Sequence, residues 1–512
     1  MPGTVALKSP EGKWIMVSAI LASSMAFIDS TALNVVLPAL QKSLNASGAD
    51  LFWILNAYLL MLASLILIGG SLGDKLGRKK IFMAGILIFI AGSTACGLSP
   101  GVIYLIVFRM VQGVGGAMMI PGSLSLISSS INEKERGTAI GIWSACTTIV
   151  TMGGPVLGGA LADAGLWRYI FFINVPIGVV ALLILWFRVK ETSDKDIDKG
   201  IDYLGATLIA LGLALLTFGF LRMPAIGFAP QVYMSLAAGL LLLIAFVVVE
   251  SKSRHPIMPL QLFTNRTFSG TNLLTFFLYA GLGAGMLFLS LDLVQVQGYS
   301  QLQSGLTFLP FTVLMVGFAW LAGNLADKFG AKLFLIIGPV TAGIGLLILS
   351  FVKQTNGPAD YWTAFLPGVL VFGLGMSFTV APLTSTVMGS VSNHFSGTAS
   401  GINNAMTRIS GVFANAIFGA LAVLFYAGAL QQQLQHINLN PKQKQEIVAQ
   451  AADLGNAKVP ADANKLLKPE IVKAYHQGFI HAYANILRIS SGLAFLGAFM
   501  TLLFVRSNPR NK

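Results

Sequence analysis

The sequence predicts an all-α, polytopic membrane protein with fourteen spans, and three observations predict it. Hydrophobic residues make up 55% of the 512-residue chain and charged residues only 10%, against roughly 25% charged in a soluble domain. Apolar runs of spanning length, about 20 residues each, recur along the chain between short polar breaks. Lys and Arg concentrate in alternate breaks, as the orientation rule for membrane helices requires. Together these exclude a soluble enzyme, a disordered chain and a secreted disulfide scaffold. The 55 glycines have no G-X-Y period, so collagen is excluded too.

The spans follow in order. The first, 14–37, runs unbroken from Trp14, which is too long for a signal-peptide core; it is read as a retained helix carrying Asp29 and Asn34. The second, 51–72, leads into the glycine-rich loop Gly70–Lys80. The third and fourth are 81–99 and 101–129, the latter with Arg109 and Gln112 inside it. The fifth, 137–161, holds Gly154, Pro155, Gly158 and Gly159, which permit close packing and a kink. The sixth is 169–189, the seventh 203–222 and the eighth 231–250. The ninth, 268–297, carries Asp292 near its end, and the tenth, 302–326, leads into a second glycine-rich loop. Spans at 331–352, 361–389, 398–427 and 478–506 complete the set.

An even count places both termini on one side. With that side taken as cytoplasmic, the inner segments hold twenty Lys and Arg; the outer ones hold ten, six of them lysines of the long loop 428–477. The net charge of +13 therefore orients the chain in its bilayer, and no nucleic-acid patch is needed. The long outer loop reads as a solvated cap with weak helical spacing at Gln443–Leu454; a docking site for a periplasmic or surface partner is the alternative. Cys96 and Cys146 lie inside apolar runs, and the five histidines form no ligand spacing, so neither a zinc site nor a disulfide framework is expected. No G-x-x-x-x-G-K-[ST] sequence occurs, so ATP coupling and bound cofactors are not expected either.

An internal repeat is visible. Gly70-Ser-Leu-Gly-Asp74-Lys-Leu-Gly77-Arg78 follows span two, and Gly323-Asn-Leu-Ala-Asp327-Lys-Phe-Gly330 follows span ten. A motif recurring at matching places marks a duplicated bundle. The expected division is 1–189 for one six-helix bundle, 190–266 for two extra spans with linkers, and 267–512 for a second six-helix bundle that includes the loop 428–477.

A carboxylate inside a span is costly and is a functional candidate by default. Asp29 lies eight residues from the outer end of its span and Arg109 eight residues from the outer end of its own. At about 1.5 Å per residue both sit roughly 12 Å deep. They are placed to pair, either as a static neutralised pair or as a proton-responsive one. Asp292 is the other acid well inside a span, either a second proton or cation site or a residue facing outer water, with Arg488 as a conceivable partner. Arg408 is also intramembrane, and Asn34, Gln112, Asn403, Asn404 and Asn415 either line a path or join helices.

Several motifs carry a family resemblance. Gly70–Lys80 resembles the loop signature of the major facilitator superfamily, and Leu105-x-x-x-Arg109-x-x-Gln112-Gly113-x-Gly115 resembles its fourth-helix motif. Gly154-Pro155-x-x-Gly158-Gly159 resembles the exporter motif of helix five, with Val150 standing where glycine is usual. Asp29-x-Thr31-x-x-Asn34-x-x-Leu37-Pro38 and Trp167-Arg168-Tyr169…Asn174-Val-Pro176 are similar to the fourteen-span drug:proton antiporter branch. The resemblance covers essentially the whole chain. It implies the major facilitator fold and efflux of amphipathic, cationic or neutral drugs driven by the proton gradient across the cell membrane. It further implies proton coupling at Asp29, Arg109 and Asp292, and substrate contacts at Asp29, Asn34, Gln112 and Asp292. Gly70, Asp74, Gly77, Arg78 and Asp327 would form a gate latch, with Asp74 and Arg78 gripping the start of span 398–427. Gly154, Pro155, Gly158 and Gly159 would seal the two halves.

Overall fold

A computed structural model describes residues 4–191, 202–254, 256–391, 396–457, 459–460 and 466–506. Fourteen helical segments are long and apolar enough to cross a bilayer. The first six spans are α1 (Pro10–Leu44), α2 (Gly48–Leu76), α3 (Arg78–Leu98), α4 (Val102–Ser130), α5 (Glu133–Asp163), and α6 (Tyr169–Phe172) continued by α7 (Asn174–Arg188). Two further spans are α8 (Tyr203–Ile226) and α9 (Pro230–Lys252). The remainder are α10 (Arg266–Gln295), α11 (Gln301–Thr307) continued by α12 (Leu309–Phe329), α13 (Ala331–Leu349), α14 (Tyr361–Ala364) continued by α15 (Leu366–Gly389), α16 (Ser396–Gln433) and, after the short α17 (Pro441–Ala449), α18 (Lys468–Phe504).

Local chemistry sets the ends. Ser9 caps α1 by accepting from the Gly12 amide at 3.1 Å, with Pro10 opening the helix. Reciprocal capping boxes open α2 (Ser47 and Asp50), α11 (Ser300 and Gln303) and α17 (Asn440 and Gln443). Spans six, ten and twelve are each broken once, and Pro176, Pro310 and Pro367 stand in the first turn of the continuing helix. A proline supplies no amide to the preceding turn, so the break falls just before it.

The two copies of the repeat make the same turn. Gly77 (φ 111°) joins α2 to α3 and Gly330 (φ 92°) joins α12 to α13, both in a region that favours glycine. The anion at the start of α3 is Glu191, whose Oε1 and Oε2 accept from the amides of Lys79 and Lys80 at 2.9 and 3.2 Å. The side chains of Asp74 and Asp327 and the residues 392–395 lie outside the described set, so the expected latch does too.

Packing divides by partner. Helices α1 to α5 and α7 pack among themselves, as do α10, α12, α13, α15, α16 and α18. Helix α8 packs against both α2 and α16, and α9 packs on α8. At the face opposite the termini the two sets close on each other. Asp163, ending α5, accepts from the amides of Gln301 and Leu302 at 2.8 and 2.9 Å. Gln41 of α1 accepts from Gln295 at 3.0 Å and donates to the Asp453 carbonyl at 3.1 Å. The loop after α16 is thus more than a solvated cap: Ile447 and Leu454 are fully buried, and Leu454 lies against Gly48 at the start of α2. Its buried apolar residues, Ile437, Leu439, Ile447, Leu454 and Ile471 among them, are spread singly through a polar stretch, which is why the loop reads as solvated in sequence.

Candidate functional site

The centre of the site is a closed hydrogen-bonded triad between α1 and α4. Arg109 and Gln112 stand three residues apart on α4, so they share a face. Arg109 Nη1 donates to Asp29 Oδ2 in an ion pair and also donates to Gln112 Oε1 at 2.8 Å. Gln112 Nε2 donates to Asp29 Oδ1 at 2.8 Å. Both carboxylate oxygens of Asp29 are therefore engaged. All three side chains are buried, with Asp29 and Gln112 at 0% and Arg109 at 1% exposure. The guanidinium carbon lies 4.4 Å from the centre of the Tyr58 ring, and Nε reaches the Ile54 carbonyl at 3.4 Å. The matched depths of Asp29 and Arg109 do become a contact. The roles of Tyr58 and Ile54 carry no sequence signal, because one is an ordinary aromatic and the other acts through its backbone.

From this triad α1 continues to α5. Gly154 and Gly158 face Thr31 and Ala32, and a β-carbon on Gly158 would stand 2.7 Å from the Ala32 carbonyl oxygen. Gly159 faces the other set of helices, where a β-carbon would stand 2.4 Å from the Gln301 carbonyl oxygen. The Pro155 carbonyl lies against Gly305 of α11. The glycine and proline motif is therefore the contact between α5, α1 and α11. A β-carbon on Gly70 would stand 3.6 Å from Pro121, and Arg78 is half-buried at the start of α3.

Asp292 is buried rather than facing water, at 0% exposure. Its Oδ2 accepts from Gln297 Nε2 at 3.1 Å, while Oδ1 has no hydrogen-bond partner among the described residues. The amide of Gln297 is saturated. Its Nε2 also donates to the Lys353 carbonyl at 3.3 Å, and its Oε1 accepts from the amide and hydroxyl of Thr355, each at 2.9 Å. Thr355 and Asp360 line an open cleft at the distal face, so one side chain separates Asp292 from that cleft. Burial pushes the nearby Tyr299 hydroxyl up to about 12, which keeps it neutral. Arg488 is exposed, lies 5.6 Å from the Phe351 ring centre and reaches Asn485, so it is no partner of Asp292.

Among the amides, Asn403 joins helices: it donates to Thr275 Oγ1 at 2.7 Å and to Asn272 at 3.3 Å. Asn34 is half-buried, and its carbonyl accepts from Ser290 of α10 at 3.4 Å. Arg408 of α16 is half-buried, with its guanidinium carbon 5.9 Å from the centre of the Phe27 ring on α1.

A fourteen-span helical chain, with a buried charge pair at its centre and two helix sets closed on each other at one face, is built as a membrane transporter. The chain belongs to the Major Facilitator Superfamily, whose profile matches residues 19–415, and as a transporter it is not an enzyme. It is 29% identical over 491 residues to the tetracenomycin C resistance and export protein of Streptomyces glaucescens, covering 95% of this chain and 90% of that one. It is 31% identical over 438 residues to the multidrug resistance protein Stp of Mycobacterium tuberculosis, covering 84% and 80%. It is 30% identical over 427 residues to the methylenomycin A resistance protein of Bacillus subtilis, covering 82% and 90%. Among solved structures, a bacterial homolog of the human lysosomal transporter Spinster, in an inward-facing and unoccupied conformation, matches 98% of this chain and 100% of its own. The TM-score is 0.67 at 18% identity, a likeness of fold.

Proposed function

We propose that the protein exports amphipathic drugs in exchange for protons, by alternating access, across the cell membrane with both termini in the cytoplasm. The observation that carries this reading is the Asp29–Arg109–Gln112 triad. A buried ion pair contributes little net stability compared with an apolar contact of the same shape, so its presence inside a span argues for a use. A proton on Asp29 would cancel its charge and release Arg109 Nη1. Because α1 also carries the contact with α5, and α5 the contact with α11, a change at the triad has a packed route to the distal closure. Proton binding then biases one of two packed arrangements. Asp292, with a free oxygen one residue behind the distal cleft, supplies a second carboxylate for protons arriving from outside. The division at 1–189, 190–266 and 267–512 gives the two moving bodies and the pair α8 and α9 between them.

The names of two relatives, each a resistance protein for one antibiotic, favour a second reading: export of a single antibiotic or metabolite. The test for both uses everted vesicles with an acid interior and a pH-sensitive dye. Addition of a drug panel to wild type is expected to release protons, and Asp29→Asn is expected to abolish the release while the protein still folds. Proton release from one compound only selects the dedicated exporter. No release by any compound from folded protein removes proton exchange altogether.

A further inference from the structure

We infer that the charge this protein offers a substrate is positive: Arg408, beside the Phe27 ring, forms a site for a small aromatic acid. The ligand class is an amphipathic ring system bearing an ionised carboxylate, sulfonate or phenol. The assignment rests on the export reading for what binding leads to.

Asp29 does not hold its charge open to a ligand, because both its oxygens are held by Arg109 and Gln112. A cationic drug attracted by that carboxylate would have to displace a buried guanidinium. Arg408 is in the opposite situation. Among the described residues it has no hydrogen bond and no ion pair. A guanidinium presents five N–H donors in a planar fork that matches a carboxylate or sulfonate. Leaving such a group half-buried without an acceptor is costly, and an incoming anion relieves that cost.

The surroundings place this cation inside the protein. Its guanidinium lies over the Phe27 ring of α1, and Tyr58 of α2 and Tyr279 of α10 are within its electrostatic reach. Those helices and α16 come from both packed sets, and α16 itself is held against α2, α8, α10 and α18. Arg408 therefore stands where the two sets meet. Phe27 is half-buried there, so an aromatic ligand finds a ring face next to the charge. Among the described residues, the groups that bear on Arg408 are Tyr58, Tyr279 and, behind the Tyr58 ring, the Asp29–Arg109 pair. None of them supplies a free carboxylate.

The test is direct binding to the purified full-length protein in neutral detergent, read by fluorescence polarisation. Two dyes of one skeleton and opposite charge are compared, fluorescein and rhodamine 123. Wild type is expected to bind fluorescein the more tightly. Arg408→Gln is expected to weaken fluorescein by roughly tenfold or more, the worth of a charge-assisted contact, while rhodamine 123 is unchanged or strengthened. Arg408→Lys, which keeps the charge, is expected to recover much of the loss and shows that the Gln effect is not misfolding. Preference for rhodamine 123, equal fluorescein binding in Arg408→Gln, or binding of neither dye by monodisperse protein would each overturn the inference. Displacement of fluorescein by phosphatidylglycerol but not by soluble aromatic acids would assign the cation to a lipid headgroup and overturn it as well. Proton release in the vesicle assay stands or falls separately, because dye binding requires no gradient.

Discussion

At the scale of the residue, the Asp29–Arg109 pair is an interaction whose two halves are not interchangeable. Removing Arg109 leaves a carboxylate at 0% exposure with only Gln112 to hold it. Breaking a buried pair in this way costs about 3–5 kcal/mol, whereas replacing both partners by neutral groups costs much less. Arg109→Ala is therefore expected to lower the thermal stability of the detergent-solubilised protein sharply. The double variant Asp29→Asn with Arg109→Gln is expected to recover most of that loss. Equal destabilisation by single and double variants would show that packing of the guanidinium over Tyr58, and not its charge, holds α1 to α4. The sequence makes this pair legible because two rare intramembrane charges sit at one depth. It does not make Tyr58 or Gln297 legible, since aromatic and amide side chains are common in spans and only their partners distinguish them. Nor does it show that Asp29 is fully engaged, with Gln112 and Arg109 on its two oxygens.

At the scale of the element, α5 joins the triad helix to the opposite set of helices. Gly159 is the position where its backbone meets the Gln301 carbonyl. Any larger side chain there must push α11 away, and with it the amides of Gln301 and Leu302 that Asp163 holds. Gly159→Leu is expected to open the distal closure. Hydrogen exchange should then rise over 300–307 and, to a smaller degree, around Asp29 and Arg109, because coupling through α5 and α1 runs both ways. Unchanged protection at 300–307 would mean that the closure is held elsewhere, by Gln41 and the Leu454 loop. The spans themselves are readable from hydropathy to within a few residues, but their breaks are less so. Span ten reads as one run at 302–326, yet it divides into α11 and α12 before Pro310. Hydropathy averages over such a break because both sides of it are apolar. Spans at the ends of the chain run longer than they read. α1 extends over Pro10–Leu44 and α18 begins at Lys468, because helices continue into the polar interface once capped by Ser9 or opened by Pro469.

At the scale of the whole molecule, the sign of the substrate charge decides which part of the electrochemical gradient does the driving. Export of a singly charged cation for one incoming proton moves no net charge across the membrane. Export of a singly charged anion for one incoming proton moves two charges, both in the direction an inside-negative potential favours. At about 100 mV each charge is worth roughly 2.3 kcal/mol, so the anion exchange gains about 4.6 kcal/mol from the potential alone, about three orders of magnitude in the gradient it can sustain. If Arg408 recruits aromatic acids, proteoliposomes holding a valinomycin-imposed potassium potential and no pH difference should move a singly charged aromatic acid toward the positive side. Reversing the potential should reverse the movement. Arg408→Gln should lose it without losing proton release to a neutral drug. Movement that ignores the potential and follows the pH difference alone would instead require the acid and a proton to travel together in one direction, an electroneutral symport, and would remove proton exchange for this class of substrate.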